Sequence, residues 1–228
     1  MKIKAFTLAE VLVTLTIIGV VSSMTIPTLM NKNKEVQTVA AVKSAYTILG
    51  NAIKRSEIDN GEAATWDFGS QSQSLESAIT TGGYLQPYLK TIKVCNKKIN
   101  ANEKCLPEKR KSLNGTLVVD PSNNYGLILN NGMSMGFWGG GESMAIVVDI
   151  NAEKGPNQWG VDTFEFVMNK NKTILYPNGA NIDISTRNIK NHCRYKTDTD
   201  EQNGDACTAW VIYKGNMDYL KKQVSWDE

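Results

Sequence analysis

Histidine is almost missing from this chain: His192 is the only one in 228 residues. That scarcity disfavours histidine-ligated metal centres and removes the commonest general base of hydrolytic chemistry. An excess of either charge is missing as well, with 25 Lys+Arg against 23 Asp+Glu and a formal net of +2. An extended nucleic-acid footprint needs a basic surplus on one face, so nucleic acid is not an expected partner. The four cysteines include no CxxC pair, so neither a zinc knuckle nor a thioredoxin-like site has its spacing. Gly139-Gly140-Gly141 reads as a flexible loop and not a phosphate cradle, because no helix pattern follows it. No internal repeat or low-complexity tract is evident. With 41% hydrophobic and 21% charged residues the chain has an ordinary globular composition, and these absences lean away from an enzyme.

What is present is concentrated at the N-terminus. Val11–Met30 runs 20 residues without a charge. At a helical rise of ~1.5 Å per residue it spans roughly 30 Å, the thickness of a bilayer's hydrocarbon core. Lys2 and Lys4 precede it, which orients the N-terminus toward the cytoplasm. The run is long for a signal-peptide core and no small-x-small site follows it, so the segment is expected to stay attached. Glu10 stands at its membrane edge, where an ionisable group is costly and implies a partner.

Lys4-Ala5-Phe6-Thr7-Leu8-Ala9-Glu10, followed by the apolar run, resembles the processing motif of type IV prepilins and related pseudopilins. Gly19 and Pro27 stand where that family commonly has a helix glycine and proline. The resemblance covers about the first 30 residues. It implies cleavage by a membrane peptidase between Ala5 and Phe6, methylation of Phe6, and Glu10 at the fifth mature position. Two departures stand out: Ala5 replaces the usual glycine and Ala9 a larger aliphatic residue. In a stack of subunits the Phe6 ammonium would meet Glu10 of a neighbour, and pairing two otherwise buried charges sets the axial register. Gly19 and Pro27 would soften the helix, Pro27 by removing a donor and crowding the carbonyl four residues back. Thr14, Thr16, Ser22 and Ser23 have hydroxyls suited to bonding the helix backbone.

Beyond the apolar run, Val36, Val39, Ala40, Val42, Tyr46, Leu49 and Ile53 recur at spacings of three and four. Asp59-Asn60-Gly61 is a stop signal. The expected helix runs from Phe6 to about Ile58, a length of ~80 Å. Its organisation is a leader at 1–5, a transmembrane or filament-core half at 6–30, an amphipathic half at 31–60 and a globular head at 61–228. In the head, Ser74–Ile79 is a short helix candidate closed by a Thr81-Gly82-Gly83 break. Strand signals follow at Thr116–Val119, Tyr125–Leu129, Met133–Trp138, Met144–Ile150, Thr163–Met168, Lys172–Tyr176 and Ala209–Tyr213. Asn130-Asn131-Gly132 and Asn169–Asn171 are hairpin turns. The fold class is α+β, a long helical spine on an antiparallel sheet, which agrees with the pilin-like fold that the resemblance implies.

Cys95, Cys105, Cys193 and Cys207 all fall in the head. Outside the cytoplasm they are expected to form disulfides. Three connectivities exist, and Cys95–Cys105 with Cys193–Cys207 is preferred because each closes a short loop. The second pair resembles the C-terminal disulfide loop of type IV pilins. His192 beside Cys193 reads as a plain loop histidine. Asp149, Asn151 and Asp162 place side-chain oxygens in a polar loop and make a weak calcium candidate; Lys154 and Gly160 break the EF-hand pattern there, and a β-turn loop around Gly155-Pro156 is the favoured reading. Lys90–Lys111, with seven lysines and one arginine, reads as a solvated loop. The five tryptophans and eight tyrosines leave an adhesive face open without selecting one.

The expected function is a structural subunit of a type IV pilus-like filament, with no cofactor. Its partners would be other pilin subunits, the prepilin peptidase and an inner-membrane assembly platform. It would start as a single-pass bacterial inner-membrane precursor and end in an extracytoplasmic filament. The alternative is a pseudopilin of a type II secretion or DNA-uptake machine. A third reading, from another class, is a membrane-anchored extracytoplasmic binding protein or enzyme.

Overall fold

The computed structural model describes residues 7–119, 124–152, 154–171, 174–180, 188–195 and 200–226. The chain divides into two units, Met1–Gln37 and Thr38–Glu228. In the first, every described residue from Leu8 onward is helical, as part of α1 (Leu8–Asn60). Its large apolar side chains are uncovered; Leu12, Ile17, Ile18 and Ile26 are each more than half exposed. The helix passes through Pro27 without a break. Hydroxyl groups of Thr14, Thr16 and Ser23 donate to the carbonyls of Val11, Leu12 and Val20. Thr25 and Thr28 do the same to Val21 and Met24, whereas Ser22 makes no such bond. Internal bonds of this kind let a polar side chain sit in an apolar helix without an unmet donor.

The second unit packs the rest of α1 on a six-stranded antiparallel sheet. Its elements are α2 (Leu75–Leu85), β1 (Thr91–Asn96), β2 (Lys109–Lys111), β3 (Leu117–Val119), β4 (Tyr125–Leu129), β5 (Ser134–Gly140), β6 (Ser143–Asp149), β7 (Thr163–Asn169), β8 (Ile174–Pro177), α3 (Ile189–His192) and α4 (Cys207–Lys214). The sheet order is β1-β4-β5-β6-β7-β8, and β2 and β3 form a separate two-stranded ribbon. From β4 to β8 the order in the sheet is the order in the chain, whereas β1 pairs with β4 across the intervening ribbon. A tight turn at residues 141–142 joins β5 to β6, and a longer loop at residues 150–162 joins β6 to β7. Gly132, at φ 84°, turns β4 into β5.

Strand side chains alternate between two faces. Met144, Ile146, Val148, Phe164, Phe166 and Met168 join the core that α1 and α2 cover, while Val147 packs with Leu106 and Trp159 on the opposite face. The buried stripe of α1 is Val39, Val42, Ala45, Leu49, Ala52, Ile53 and Ser56. Of the periodic residues, Val36 and Ala40 remain exposed and Tyr46 is half-buried. The Tyr46 ring stacks on Phe166 at 5.6 Å, and its hydroxyl donates to the Leu175 carbonyl at 3.1 Å. The buried Ser56 hydroxyl donates to the Tyr84 carbonyl at 2.7 Å, tying α1 to α2. Gly61, at φ 76°, follows the last turn of α1, as the stop signal requires.

Four sequence expectations are corrected. Ala209–Tyr213 lies in α4, not in a strand: Trp210 and Val211 join the main core and Ala209 packs with Tyr176 and Ala180, in a helix that ends in the left-handed Gly215. The Gly82-Gly83 pair does not break α2, because Gly82 is where Tyr125 and Phe137 press on the helix; an added Cβ would lie 2.3 Å from the Tyr125 ring. Gly139 and Gly140 are strand residues of β5 and only Gly141 turns, at φ 62°. A Cβ on Gly139 would meet the Phe68 carbonyl at 2.4 Å, so close backbone approach selects glycine there, not flexibility. Finally, Lys90–Lys111 is not a plain loop, since it holds β1 and β2. The strand expected over Lys172–Tyr176 is β8, and residues 172 and 173 lie outside the described residues.

Buried charge sits on the sheet face away from α1. Arg110 is 2% exposed and lies over the Trp159 ring at 4.4 Å. Burial pulls its pKa down to about 10, against the favourable fields of Asp149, Glu165 and Asp162. Asp149 is fully buried, and desolvation pushes its carboxyl up to about 8, aided by the like charge of Asp162 and opposed by the Asn151 amide and Arg110. The folded chain therefore holds the Asp149 proton at pH values where the unfolded chain, titrating at ~4, has released it. The stabilisation is complete below pH ~4 and is lost as pH rises through about 8. Denaturant unfolding of the detergent-solubilised chain, followed by tryptophan fluorescence, should show stability falling between pH 5 and 8 by at most ~1.4 kcal/mol per unit, a slope that Asp149→Asn flattens.

Candidate functional site

The residues expected to carry processing and assembly lie at the start of α1. Thr7 precedes the helix and Glu10 sits in its first turn. The Thr7 hydroxyl accepts from the Glu10 amide at 3.3 Å, and Glu10 Oε2 accepts from the Thr7 amide and hydroxyl at 2.8 Å each. This reciprocal arrangement is a capping box, which meets two orphan donors of the helix end and directs a carboxylate toward its positive dipole. Thr7 is the member that sequence reasoning overlooked. Its signal was legible, a threonine three residues before a glutamate ahead of an apolar run.

Ala5, Phe6 and the leader lie outside the described residues. Gly19 is an exposed helix residue with no atom within 4 Å of where a Cβ would be, so nothing within the chain demands glycine there. Pro27 is helical and exposed. The start of α1 thus presents a capped carboxylate at the head of an apolar surface, and among the described residues α1 is the one helix long and apolar enough to cross a membrane.

The cysteines form two bonds, Cys95–Cys105 and Cys193–Cys207. The first ties the end of β1 to the segment that leads into β2; the second ties α3 to the start of α4. The fully buried Cys193 and Cys207 join the main core, and the Tyr219 hydroxyl donates to the Gly160 carbonyl at 2.7 Å, holding the C-terminal segment to the loop after β6. His192 ends α3, and its carbonyl accepts from the Gly204 amide at 2.8 Å.

The calcium candidates come together only in part. Asp162 accepts from the amides of Asn157 (2.9 Å) and Gln158 (2.7 Å), and from the Asn151 side chain at 3.4 Å. Asp149 accepts from the Asn151 amide at 3.0 Å. Both carboxylates therefore organise their own loop, which contains the cis Gly155-Pro156 bond. Among the described residues no three His, Cys, Asp or Glu side chains gather into a group able to hold a metal.

Two family descriptions match the chain. The family described as "Family of unknown function (DUF6613)" matches residues 28–222, most of the sequence. The chain belongs to that family. The "Prokaryotic N-terminal methylation motif" matches residues 1–26, and this motif is the signature of type IV pilins and pseudopilins. It marks a processed structural subunit and is not an enzyme family's signature. Together with the apolar helix it fits a membrane-anchored precursor. No curated protein and no solved structure matches the chain.

The Cys193–Cys207 bond closes a sequence separation of 14. Replacing both cysteines by serine should lower the unfolding free energy by about 3 kcal/mol, read as a shifted denaturant midpoint. An unchanged midpoint would show that core packing alone fixes α3 and α4.

Proposed function

We propose that the chain is a structural subunit of a type IV pilus-like filament. The observation that carries this reading is the coincidence, in the first 30 residues, of the methylation motif with an uncovered apolar helix headed by the capped Glu10. The apolar side chains need lipid before assembly and the helices of neighbouring subunits afterwards. Cleavage between Ala5 and Phe6 by prepilin peptidase leaves a Phe6 ammonium two positions upstream of Leu8, the first residue of α1. A methylated amine keeps its charge and finds Glu10 of the next subunit. The precursor spans the inner membrane once with its N-terminus in the cytoplasm and leaves it through an assembly platform. The Cys193–Cys207 loop favours a pilus subunit over a pseudopilin.

Intact and N-terminal peptide mass spectrometry of the filament- or membrane-derived chain should find a chain starting at methylated Phe6. A chain that keeps Met1, or starts beyond Met30, in cells with active prepilin peptidase would end the filament reading. Glu10→Ala should insert and fold yet give few filaments, because the neighbour's ammonium loses its partner; normal filament yield would remove the register role.

The Asp149–Asp162 loop is read as closed by its own hydrogen bonds, not by a cation. Chelator treatment and subsequent calcium addition should leave thermal unfolding of the solubilised chain unchanged. A calcium-dependent rise in the unfolding temperature would move the reading toward a pseudopilin.

A further inference from the structure

Charge on the larger unit is segregated although the chain as a whole is nearly neutral. From Ser56 to Leu89 the sequence has five acids, Glu57, Asp59, Glu62, Asp67 and Glu76, and no lysine or arginine. Lys90–Lys111 then has seven lysines, one arginine and two glutamates. With Arg110 buried, the second stretch contributes 7 − 2 = +5 toward solvent against −5 from the first. The acids run from the last turn of α1 to the first turn of α2. Their hydrogen bonds are local or to a neutral group: Glu57 accepts from the Ala63 amide, Asp67 from the Gly69 amide and Asp59 from the Tyr88 hydroxyl. Among the described residues, none of the five is ion-paired, nor are Lys90, Lys93 and Lys98, whereas Lys97 and Lys104 share Glu108.

β1 is the outermost strand on its side of the sheet. Lys90, Lys93 and Lys98 are exposed, and between them Ile92 is 70% and Val94 37% exposed. Lysines on an edge strand are a known guard against edge-to-edge aggregation. That role accounts for the cations but not for apolar side chains left in water beside them, nor for the acidic run on the neighbouring layer. We propose that the β1 edge of one copy docks on the acidic α1–α2 connection of a second copy. Opposite formal charge gives the pair its orientation, and Ile92 with Val94 supplies the apolar centre. The two patches differ, so the contact is heterologous, the type that repeats into an open helical polymer when its rotation does not close into a ring. It rests on the filament reading and specifies which surfaces of the larger unit meet.

The test is a charge swap in the full-length chain, with sheared-filament yield compared at equal membrane levels. Lys93→Glu with Lys98→Glu, and separately Glu62→Lys with Asp67→Lys, should each lower yield about tenfold, and all four together should recover it to within about threefold. All four positions are exposed, and the equal membrane levels check the folding of each variant, Asp67→Lys included, which gives up the bond from the Gly69 amide. Normal yield from both pairs, or loss without recovery in the combined variant, overturns the docking while filaments from the unmodified chain keep the filament reading intact. Zero-length cross-linking of mixed 14N and 15N chains in membranes gives an independent readout. Isotope-mixed links between residues 90–98 and 57–76 support the docking even if no filament forms; their absence overturns it. DNA that co-purifies with the chain, and is lost in the lysine variant at unchanged filament yield, assigns the lysines to nucleic acid and overturns the docking too.

Discussion

An apolar helical surface that its own chain leaves in contact with solvent has to be covered by something else. From Val11 to Met30 that surface goes all the way round, and its large side chains are about half exposed or more. In water the cost would grow with each uncovered side chain, by ~1.5–3 kcal/mol for a fully transferred leucine or isoleucine. Lipid and the same surface of other subunits are the two covers that suit it. The hydroxyls of Thr14, Thr16 and Ser23 turned onto their own carbonyls show a segment built for an environment without water, since each donor is met inside the helix.

The remainder of α1 obeys a different constraint. Past Gln37 the helix buries one stripe and leaves the rest to solvent, and small residues, Ala45, Ala52 and Ser56, let it settle on the sheet beside Leu49 and Ile53. Tyr46 adds a stacked ring and a hydrogen bond across to β7 and β8. The same face takes α2, where Gly82 admits the Tyr125 ring. The opposite face is covered by the β2–β3 ribbon and the segment around Trp159. There Arg110 lies over the Trp159 ring, and the carboxylates of Glu165 and Asp162 offset part of the cost of burying it. The disulfides hold short local loops to this frame and need no long chain closure.

Much of the fold was legible because local signals and tertiary outcome agree. The hairpin at Asn130-Asn131-Gly132, the strands at Tyr125–Leu129 and Thr163–Met168, and the stop at Gly61 all rest on backbone preferences that act within a few residues. Where they disagreed, packing decided. Trp210 and Val211 favour a strand by type, yet the core and the Cys193–Cys207 bond hold them in a helix. β2, the three residues Lys109-Arg110-Lys111, is too short and too basic to read as a strand, and only pairing with β3 makes it one; β1, with Thr91, Ile92 and Val94, was obscured by the lysines on either side of it. Thr7 was readable as a cap but stood in the shadow of Glu10.

The sequence by itself determined the apolar run, the carboxylate at its head, the processing motif and the α+β class. Each depends on spacing along the chain, which periodicity reports directly. The preferred pairing of the cysteines into two short loops also holds. Tertiary structure decided how α1 and α2 share one face of the sheet and how Arg110 and Asp149 come to share one interior. Those outcomes depend on residues distant in sequence reaching the same few ångströms, and no local preference encodes such a distance.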